Sequence, residues 1–316
     1  SAVQNTRPIR LSSLAALPSG LQQSLLREFV YSVTKHLSTE ERVQYLRDLI
    51  VEYGQGLKSN GQILAIQLVM KEIIESSDYN GKHEGFDLSA ACSELAVLLY
   101  QETGPNTAEI CRTIYTLLEK KPQVISQWNV EATLNAVSGL AADGDVSASY
   151  TWLCKLIEII IKKHRLRLES HYHIVLVVLQ SLLRRLITDR SQSDDKKADE
   201  SRAHAYARLV TLICEPTAGA VSRSQNHSSL DSATDAAKRS AGRHMYLILM
   251  QYVKLQLEVN VPASITDALE HAMNTIFDIT PPEGRKILND AMDASGRAIL
   301  REMFKRYVKF GKWTGV

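Results

Sequence analysis

The stretch "STEERVQYLRDLIVEY", residues 38–53, has the pattern of an amphipathic helix with a marked start. Ser38 and Glu41 stand at the spacing of a capping box, in which each side chain accepts a hydrogen bond from the other residue's backbone N–H. Beyond them, apolar side chains recur at helical spacing: Val43, Leu46, Leu49, Ile50 and Tyr53. The stretch therefore predicts a helix over 39–53 that buries one face.

Similar patterns occur along most of the chain. Asn106 and Glu109 form a weaker capping box, and the pair Pro281-Pro282 marks a third start, because proline is favoured at the first helical position. No run of four to eight residues alternates cleanly between apolar and polar side chains, so no strand is predicted. The periodicity predicts about thirteen helices, at 21–37, 39–53, 61–76, 88–103, 107–120, 129–142, 147–165, 169–188, 199–214, 241–258, 263–278, 281–292 and 295–310.

The fold class follows from the number and spacing of these helices. Glycine (15) and proline (8) are sparse for 316 residues, which favours long helices and few tight turns. Helices joined by short loops form consecutive antiparallel pairs, and such pairs stack into an α-solenoid. The pairs recur at roughly 30–45 residues without a strict signature, as HEAT and armadillo arrays do. We predict an all-α, irregular solenoid; the alternative is an irregular helical bundle.

The domain organisation is expected to be simple, with one all-helical domain over 1–316. Two stretches break the helical pattern. Residues 188–202 are charged and lack large apolar side chains, and residues 217–240 have only Val221 and Leu230. Because such segments cannot bury enough apolar surface to offset the entropy of ordering, we expect both to be mobile insertions. The alternative for 217–240 is a partner-binding segment.

No motif points to catalysis. Gly54-Gln55-Gly56 follows a helix rather than a strand, so it is not a dinucleotide fingerprint, and no phosphate loop or nucleophile set is present. His171 and His173 stand two apart on a predicted helix and point to different faces, which disfavours a joint metal site. We therefore predict no enzyme, no cofactor, no metal and no small-molecule substrate.

Cysteine usage and hydropathy give two further expectations. The four cysteines have no metal-ligand spacing and lie in apolar helical stretches, which suits buried thiols in a reducing compartment. No apolar run approaches the ~18 residues that a membrane span needs. The net charge of +2 gives no overall attraction to polyanions, so any basic surface is local.

The densest basic run is "KKHRLR", residues 162–167, which ends one predicted helix and precedes another. One interpretation is that the helix macrodipole favours cations at a helix C-terminus. The alternatives are contact with a polyanion and a nuclear targeting signal. The candidate binding residues in this run are Lys162, Lys163, Arg165 and Arg167.

The last twenty residues carry a second basic group, within and around "FKRYVKFGKW", residues 304–313. Its candidate partner- or RNA-binding residues are Arg297, Arg301, Lys305, Arg306, Lys309, Lys312 and Trp313. The acid Glu302 stands four residues before Arg306 and can offset its charge locally.

The spacing of the last helix separates two faces. The inward stripe is predicted to consist of Leu300, Phe304, Tyr307 and Val308. A ladder of cations four residues apart faces outward: Arg297, Arg301, Lys305 and Lys309. Such a ladder beside Trp313 suits a phosphate backbone with a stacking base, or an acidic protein surface. The alternative is that these cations pair with acidic residues elsewhere in the chain.

Two quoted segments also resemble a known family. "YLILMQYVKLQLEVNVPASITDALEHAMNTIFDI" followed by "GRAILREMFKRYVKFGKWTGV" is similar to the C-terminal domain of the Urb/Npa family of nucleolar pre-rRNA processing factors, in particular its second member. The resemblance is strongest over about the last 75 residues. Its most specific part is the Arg-rich final helix with its aromatics and Gly311-Lys312-Trp313. Upstream only the helical pattern is compatible.

The resemblance implies a large helical scaffold that acts in the nucleolus, in early assembly of the large ribosomal subunit and in pre-rRNA processing. It implies as partners a larger solenoid relative and a DEAD-box RNA helicase, with pre-rRNA as a further candidate, and it carries over no catalytic residue. A chain that begins at Ser1 agrees with the C-terminal domain of a larger protein. The alternatives are a HEAT-like adaptor in transport or trafficking, and a cryptic enzyme whose site is assembled only in three dimensions.

Overall fold

The computed structural model of the chain describes residues 19–55, 60–76, 82–83, 86–101, 104, 106–168, 171–189, 196–217 and 230–311. Over these ranges the fold is helical, as predicted, and contains thirteen α-helices. They are α1 (Ser19–Thr34), α2 (Thr39–Gln55), α3 (Asn60–Glu75), α4 (Leu88–Gln101), α5 (Thr107–Lys120), α6 (Gln127–Asp143), α7 (Tyr150–Lys163), α8 (Tyr172–Thr188), α9 (Lys196–Cys214), α10 (Leu230–Glu258), α11 (Ala263–Ile279), α12 (Pro282–Asp290) and α13 (Ala294–Arg306).

The chain divides into two compact units, Ser1–Ile125 and Ser126–Val316. In the first unit, α3 packs against α1, α2 and α5, and α4 packs on α5. A short antiparallel ladder joins β1 (Lys82–His83) to β2 (Phe86–Asp87) just before α4. The sequence analysis predicted no strand, because two residues are too few to display a period-two pattern.

The capping box that opens α2 forms as predicted. The Ser38 backbone N–H donates to Glu41 Oε2 at 2.8 Å, and the Glu41 backbone N–H donates to Ser38 Oγ at 3.3 Å. Val43, Leu46 and Leu49 are buried, as the spacing predicted, and Tyr53 is half-buried, but Ile50 of the same predicted face is 43 % exposed. The local sequence therefore suffices to place this helix.

The predicted capping box before α5 does not form, although the helix begins at Thr107 as expected. Asn106 makes no side-chain cap and instead donates its amide to the Asn60 carbonyl at 3.2 Å. Glu109 is 4 % exposed and its Oε2 contacts Arg27 at 2.6 Å and Arg112 at 3.2 Å. A buried carboxylate needs cations to offset its desolvation. Glu109 therefore pairs with the two guanidinium groups and not with the backbone N–H of Asn106.

In the second unit, helices two apart in the chain pack side by side. One row consists of α6, α8 and α10, and the other of α7, α9 and α11. Two fully buried tyrosines connect the rows: Tyr150 donates to the Leu182 carbonyl at 3.0 Å, and Tyr206 donates to the Leu179 carbonyl at 3.1 Å. This packing is compatible with the stacked helix pairs of a solenoid.

Parts of the two stretches expected to be mobile are helical. Residues 196–202 open α9 and residues 230–240 open α10, whereas 190–195 and 218–229 lie outside the described residues. Both helices begin earlier than predicted, because the sequence criterion counted only large apolar side chains. Three alanines four residues apart are buried along α10: Ala233, Ala237 and Ala241. Whether the stretches are mobile stays a prediction.

Within the described ranges, no helix combines the length and the apolar composition needed to cross a bilayer.

Candidate partner-binding surface on the C-terminal helix

The start of α13 is set by Asp293, whose Oδ1 accepts a hydrogen bond from the Gly296 backbone N–H at 2.7 Å. An aspartate at this position satisfies one of the free N–H groups of the first turn and places a negative charge at the positive end of the helix dipole. After Arg306 the chain continues as a π-helical turn, Tyr307–Gly311. The helix and this turn carry the second basic group.

Three aromatic rings anchor the helix to its neighbours. Phe277 of α11 lies 5.6 Å from Phe304 and 5.3 Å from Tyr307, measured between ring centroids. The Arg285 guanidinium of α12 stands 5.7 Å from the Phe304 ring centroid and donates to the Phe277 carbonyl at 3.2 Å. Tyr307 donates its hydroxyl proton to the Asp278 carboxylate. The last helix is therefore held by rings, a cation and one hydrogen bond.

The inward stripe differs in part from the prediction. Tyr307 is buried and Leu300 and Phe304 are half-buried, but Val308 is 53 % exposed. The prediction for Val308 was wrong because a regular helical spacing was continued through residues that form a π-helical turn, whose wider hydrogen-bond spacing changes the direction of each side chain.

The four cations of the predicted ladder differ in exposure: one is half-buried and bonded within the domain, and three are exposed to solvent. Arg297 is half-buried and donates to the Met292 carbonyl at 2.9 Å. Lys305 lies 3.5 Å from Glu302, with both side chains exposed to solvent. Arg301 and Lys309 are exposed, and no ion pair with either is found in the part of the chain that the structure describes. We call Arg301, Lys305 and Lys309 the basic ridge.

Arg306 does not pair with Glu302, the partner that the i, i+4 spacing suggested. Its Nη2 lies 2.6 Å from Glu270 Oε1 of α11, so it joins two helices instead of offsetting a neighbour on its own helix. Arg306 is not a member of the predicted ladder, so this contact does not test the alternative stated for the ladder. Both side chains are partly exposed, so the pair contributes modestly to stability.

Two exposed apolar side chains lie beside the basic ridge. Phe310 is 75 % exposed, with the Lys309 ammonium 4.8 Å from its ring centroid, and Val308 is its neighbour in the same turn. The sequence analysis did not single out Phe310, although its alternation with lysines in "FKRYVKFGKW" was the available signal. Lys312 and Trp313 lie outside the described residues.

The earlier basic run, 162–167, does not form one exposed patch. Lys162 pairs with Glu158, which also contacts Arg208 of α9 at 2.8 Å. Lys163 is exposed in the last turn of α7, and Arg167 is half-buried. Lys162 and Lys163 stand where the helix dipole favours cations, as one of the interpretations held.

Arg165 has a structural position. It is 4 % exposed, and its two terminal nitrogens donate to the Leu212 and Ile213 carbonyls at 3.1 and 3.0 Å. These carbonyls belong to the last turn of α9, where no intrahelical donor remains for them. Arg165 therefore caps α9 and presents little surface to a partner.

Metal ligands are not brought together among the described residues, in which no group of three or more His, Cys, Asp or Glu side chains could hold an ion. His171 Nε2 lies 3.4 Å from Glu131, and the rings of His171 and His173 are 6.1 Å apart. All four cysteines lie among the described residues and are buried, and none of them forms a disulfide.

The comparison with known families decides the relationship. A model of the Urb2/Npa2 family matches residues 108–316, about two thirds of the chain. The chain belongs to this family. The Urb2/Npa2 match begins inside α5 and includes every helix from α6 to α13, so it extends well upstream of the segment where the resemblance was strongest.

Membership of the Urb2/Npa2 family implies a role in ribosome biogenesis and a nuclear location, and this family is not a known enzyme family. Neither curated proteins nor solved structures give a significant match.

Proposed function

We propose that this member of the Urb2/Npa2 family is a non-catalytic scaffold that acts in the nucleolus, in early large-subunit assembly and pre-rRNA processing. The family match over residues 108–316 is the observation that carries the proposal. By resemblance, its partners are a larger solenoid relative and a DEAD-box RNA helicase, with pre-rRNA as a further partner. Such a role needs extended surface rather than a reactive site.

The proposed architecture is an irregular solenoid of the HEAT or armadillo kind. The side-by-side packing of α6, α8 and α10, and of α7, α9 and α11, supports it for the second unit. We propose further that residues 1–316 are the C-terminal domain of a larger protein, with 188–202 and 217–240 as mobile insertions.

The proposed contact surface is the basic ridge with its neighbours Val308 and Phe310. Arg297 and Arg306 are engaged within the domain, whereas among the described residues the exposed cations of the ridge have either no ion pair or one with an exposed carboxylate. Cations next to an exposed ring are suited to a single-stranded nucleic acid, in which phosphates and a stacking base alternate. They also suit an acidic protein surface.

The cellular test is crosslinking of the tagged protein followed by sequencing of the bound RNA. The proposal expects precursors of the large-subunit rRNA to be enriched, together with the proposed protein partners. If neither is enriched above an untagged control, the protein is an adaptor outside ribosome assembly, for example in transport or trafficking, and the proposal is overturned.

The surface test is the triple variant Arg301→Glu, Lys305→Glu and Lys309→Glu. Binding of a single-stranded pre-rRNA fragment is measured over a range of salt concentrations. The slope of log K against log salt is negative, and each lost phosphate contact reduces its magnitude by about 0.7, so three lost contacts reduce it by about 2. If the variant binds RNA and partners as the parent does, the ridge is a solvated face.

A matched control carries the same change of charge elsewhere. Arg239, Arg243 and Lys254 are exposed cations of α10. Their replacement by glutamate is expected to weaken binding only slightly, through the net charge, and to leave most of the salt slope in place. An equal effect of both triple variants would mean that the domain binds through its overall charge and not through the ridge.

A further inference from the structure

A cleft of about 220 Å³ lies between α10, α11 and α13 in the second unit. Its lining includes the apolar side chains Met273, Ile299 and Met303, with polar groups around them. Methionine adapts its shape easily because its side chain is unbranched and has three rotatable bonds, and it is common at surfaces that accept a partner. The cleft is thus an apolar recess with deformable walls.

One side chain of this cleft has an unmet hydrogen-bonding need. Tyr252 is 2 % exposed, and its hydroxyl has no hydrogen-bond partner among the described residues. Burial raises the pKa of Tyr252 above its ordinary value; Thr266 and Gln256 lie close enough to act in the opposite direction, but neither meets hydrogen-bond geometry. The hydroxyl is therefore protonated at neutral pH and can donate as well as accept.

Three other buried tyrosines of this unit have hydrogen-bond acceptors for their hydroxyl groups, in contrast to Tyr252. Tyr150 and Tyr206 donate to backbone carbonyls, and Tyr307 donates to a carboxylate. A buried polar group without a partner costs free energy, and each such group in a folded protein calls for an explanation. One explanation is that a bound molecule supplies the missing hydrogen-bond partner.

The charges at the rim favour a protein over a nucleic acid. Glu270 and Glu302 are both part of the lining, and the one cation there, Arg306, is held by Glu270 at 2.6 Å. The two carboxylates repel phosphate, and the charge of Arg306 is already offset by Glu270. Glu302 is exposed with only an exposed lysine near it, so it can meet a basic residue of a partner.

We propose that this cleft receives a tyrosine or tryptophan side chain of a protein partner, an inference that rests on the proposed scaffold function. An apolar cavity of about 150 Å³ can hold benzene, so the space here accommodates a phenol or indole ring. The polar tip of the ring meets the Tyr252 hydroxyl after a small movement of Met273 or Met303. Tyrosine and tryptophan are the residues that most often anchor protein interfaces.

Methionine-methyl NMR tests this proposal directly on the whole chain, which contains six methionines. The probes are N-acetyl-tyrosine amide and N-acetyl-tryptophan amide, with N-acetyl-alanine amide and adenosine monophosphate as comparators. The aromatic probes are expected to shift the Met273 and Met303 methyl signals in a saturable way and to leave Met70 of α3 unchanged. No shift, or a shift caused by adenosine monophosphate instead, overturns the proposal.

The variant Tyr252→Phe separates binding from folding. Because the hydroxyl is unpaired in the free protein, its removal is expected to leave the Tm unchanged or to raise it. Affinity for the tyrosine probe falls about five-fold, the loss expected for one neutral hydrogen bond. A marked fall in Tm, or unchanged affinity, contradicts the proposed role of the hydroxyl.

A second variant blocks the space without touching Tyr252. Ile299→Trp fills the cleft from α13 and is expected to abolish the probe-induced shifts, whereas the triple variant of the basic ridge keeps them. Recovery of pre-rRNA with the parent protein is scored separately. If the probes bind but pre-rRNA is not recovered, the proposed function is refuted and the binding role of the cleft stands. If pre-rRNA is recovered but the probes do not bind, only the binding role of the cleft is refuted.

Discussion

Tyr307 donates its hydroxyl proton to the Asp278 carboxylate, and this hydrogen bond ties the turn that follows α13 to the end of α11. The Tyr307 ring also stacks on Phe277 at 5.3 Å, so one side chain contributes both an apolar and a polar contact. The docking of the last helix therefore depends on a residue that lies beyond the helix itself.

The first prediction concerns alkaline pH. Burial, and then Asp278, raise the pKa of Tyr307 from 10.0 to about 12. The folded state favours the neutral Tyr307 hydroxyl. The hydroxyl therefore contributes fully to the free energy of unfolding below about pH 10, and this contribution is lost as the pH rises towards 12. Tyr307→Phe is expected to be less stable than the parent at neutral pH, and the difference should shrink above about pH 10 in urea unfolding. A difference that is constant with pH would contradict this.

The second prediction concerns the aromatic anchor. Phe304→Ala removes a half-buried ring that contacts Phe277 and Tyr307, and is expected to lower the free energy of unfolding by roughly 2–3 kcal/mol, below the range for fully buried rings. Val308→Ala, at an exposed position, is the control and is expected to change the free energy of unfolding by less than about 0.5 kcal/mol. Chemical denaturation measures both; equal effects would mean that the ring does not anchor the helix.

The third prediction concerns the buried carboxylate of the first unit. Glu109→Gln removes the buried carboxylate that Arg27 and Arg112 contact and is expected to cost roughly 1–3 kcal/mol, since both guanidinium groups are partly exposed. The control is Glu75→Gln, which removes a surface pair with Lys71 at 3.9 Å and costs less than about 0.5 kcal/mol. Thermal unfolding distinguishes them, and a neutral Glu109→Gln would refute the role of the pair.

The fourth prediction is a gain in stability. Gln67 of α3 is fully buried, and neither its amide nitrogen nor its amide oxygen has a hydrogen-bond partner among the described residues. Gln67→Leu keeps a similar volume and is expected to raise the free energy of unfolding by about 1–2 kcal/mol. Gln44→Leu, at an exposed position of α2, gives no such gain. A loss of stability on Gln67→Leu would mean that the amide is satisfied.

Local sequence signals predicted the helices well because helix starts depend on neighbouring residues. The Ser38–Glu41 box that opens α2 and the proline at the first position of α12 are examples. The box of Asn106 and Glu109 failed for the opposite reason: the partner that Glu109 takes, Arg27, is 82 residues away in the chain. Nothing in a window of one helix reveals such a contact.

The candidate surface was predictable only as a group of cations. Whether each cation is free depends on elements distant in sequence: α9 for Arg165, and α11 for Arg306. Spacing alone treated these arginines as equivalent to Arg301, which is exposed. The direction of Val308 depended on a π-helical turn, for which the sequence carried no signal.

The two rows of the second unit have a mechanical consequence. Since each helix rests mainly on the helices two places before and after it, strain at one end is passed on in small steps and shared along the row. Such an array can bend by slight rotations between neighbouring helices while every helix stays intact. Under load, the second unit is thus expected to deform gradually and not by the loss of a single helix.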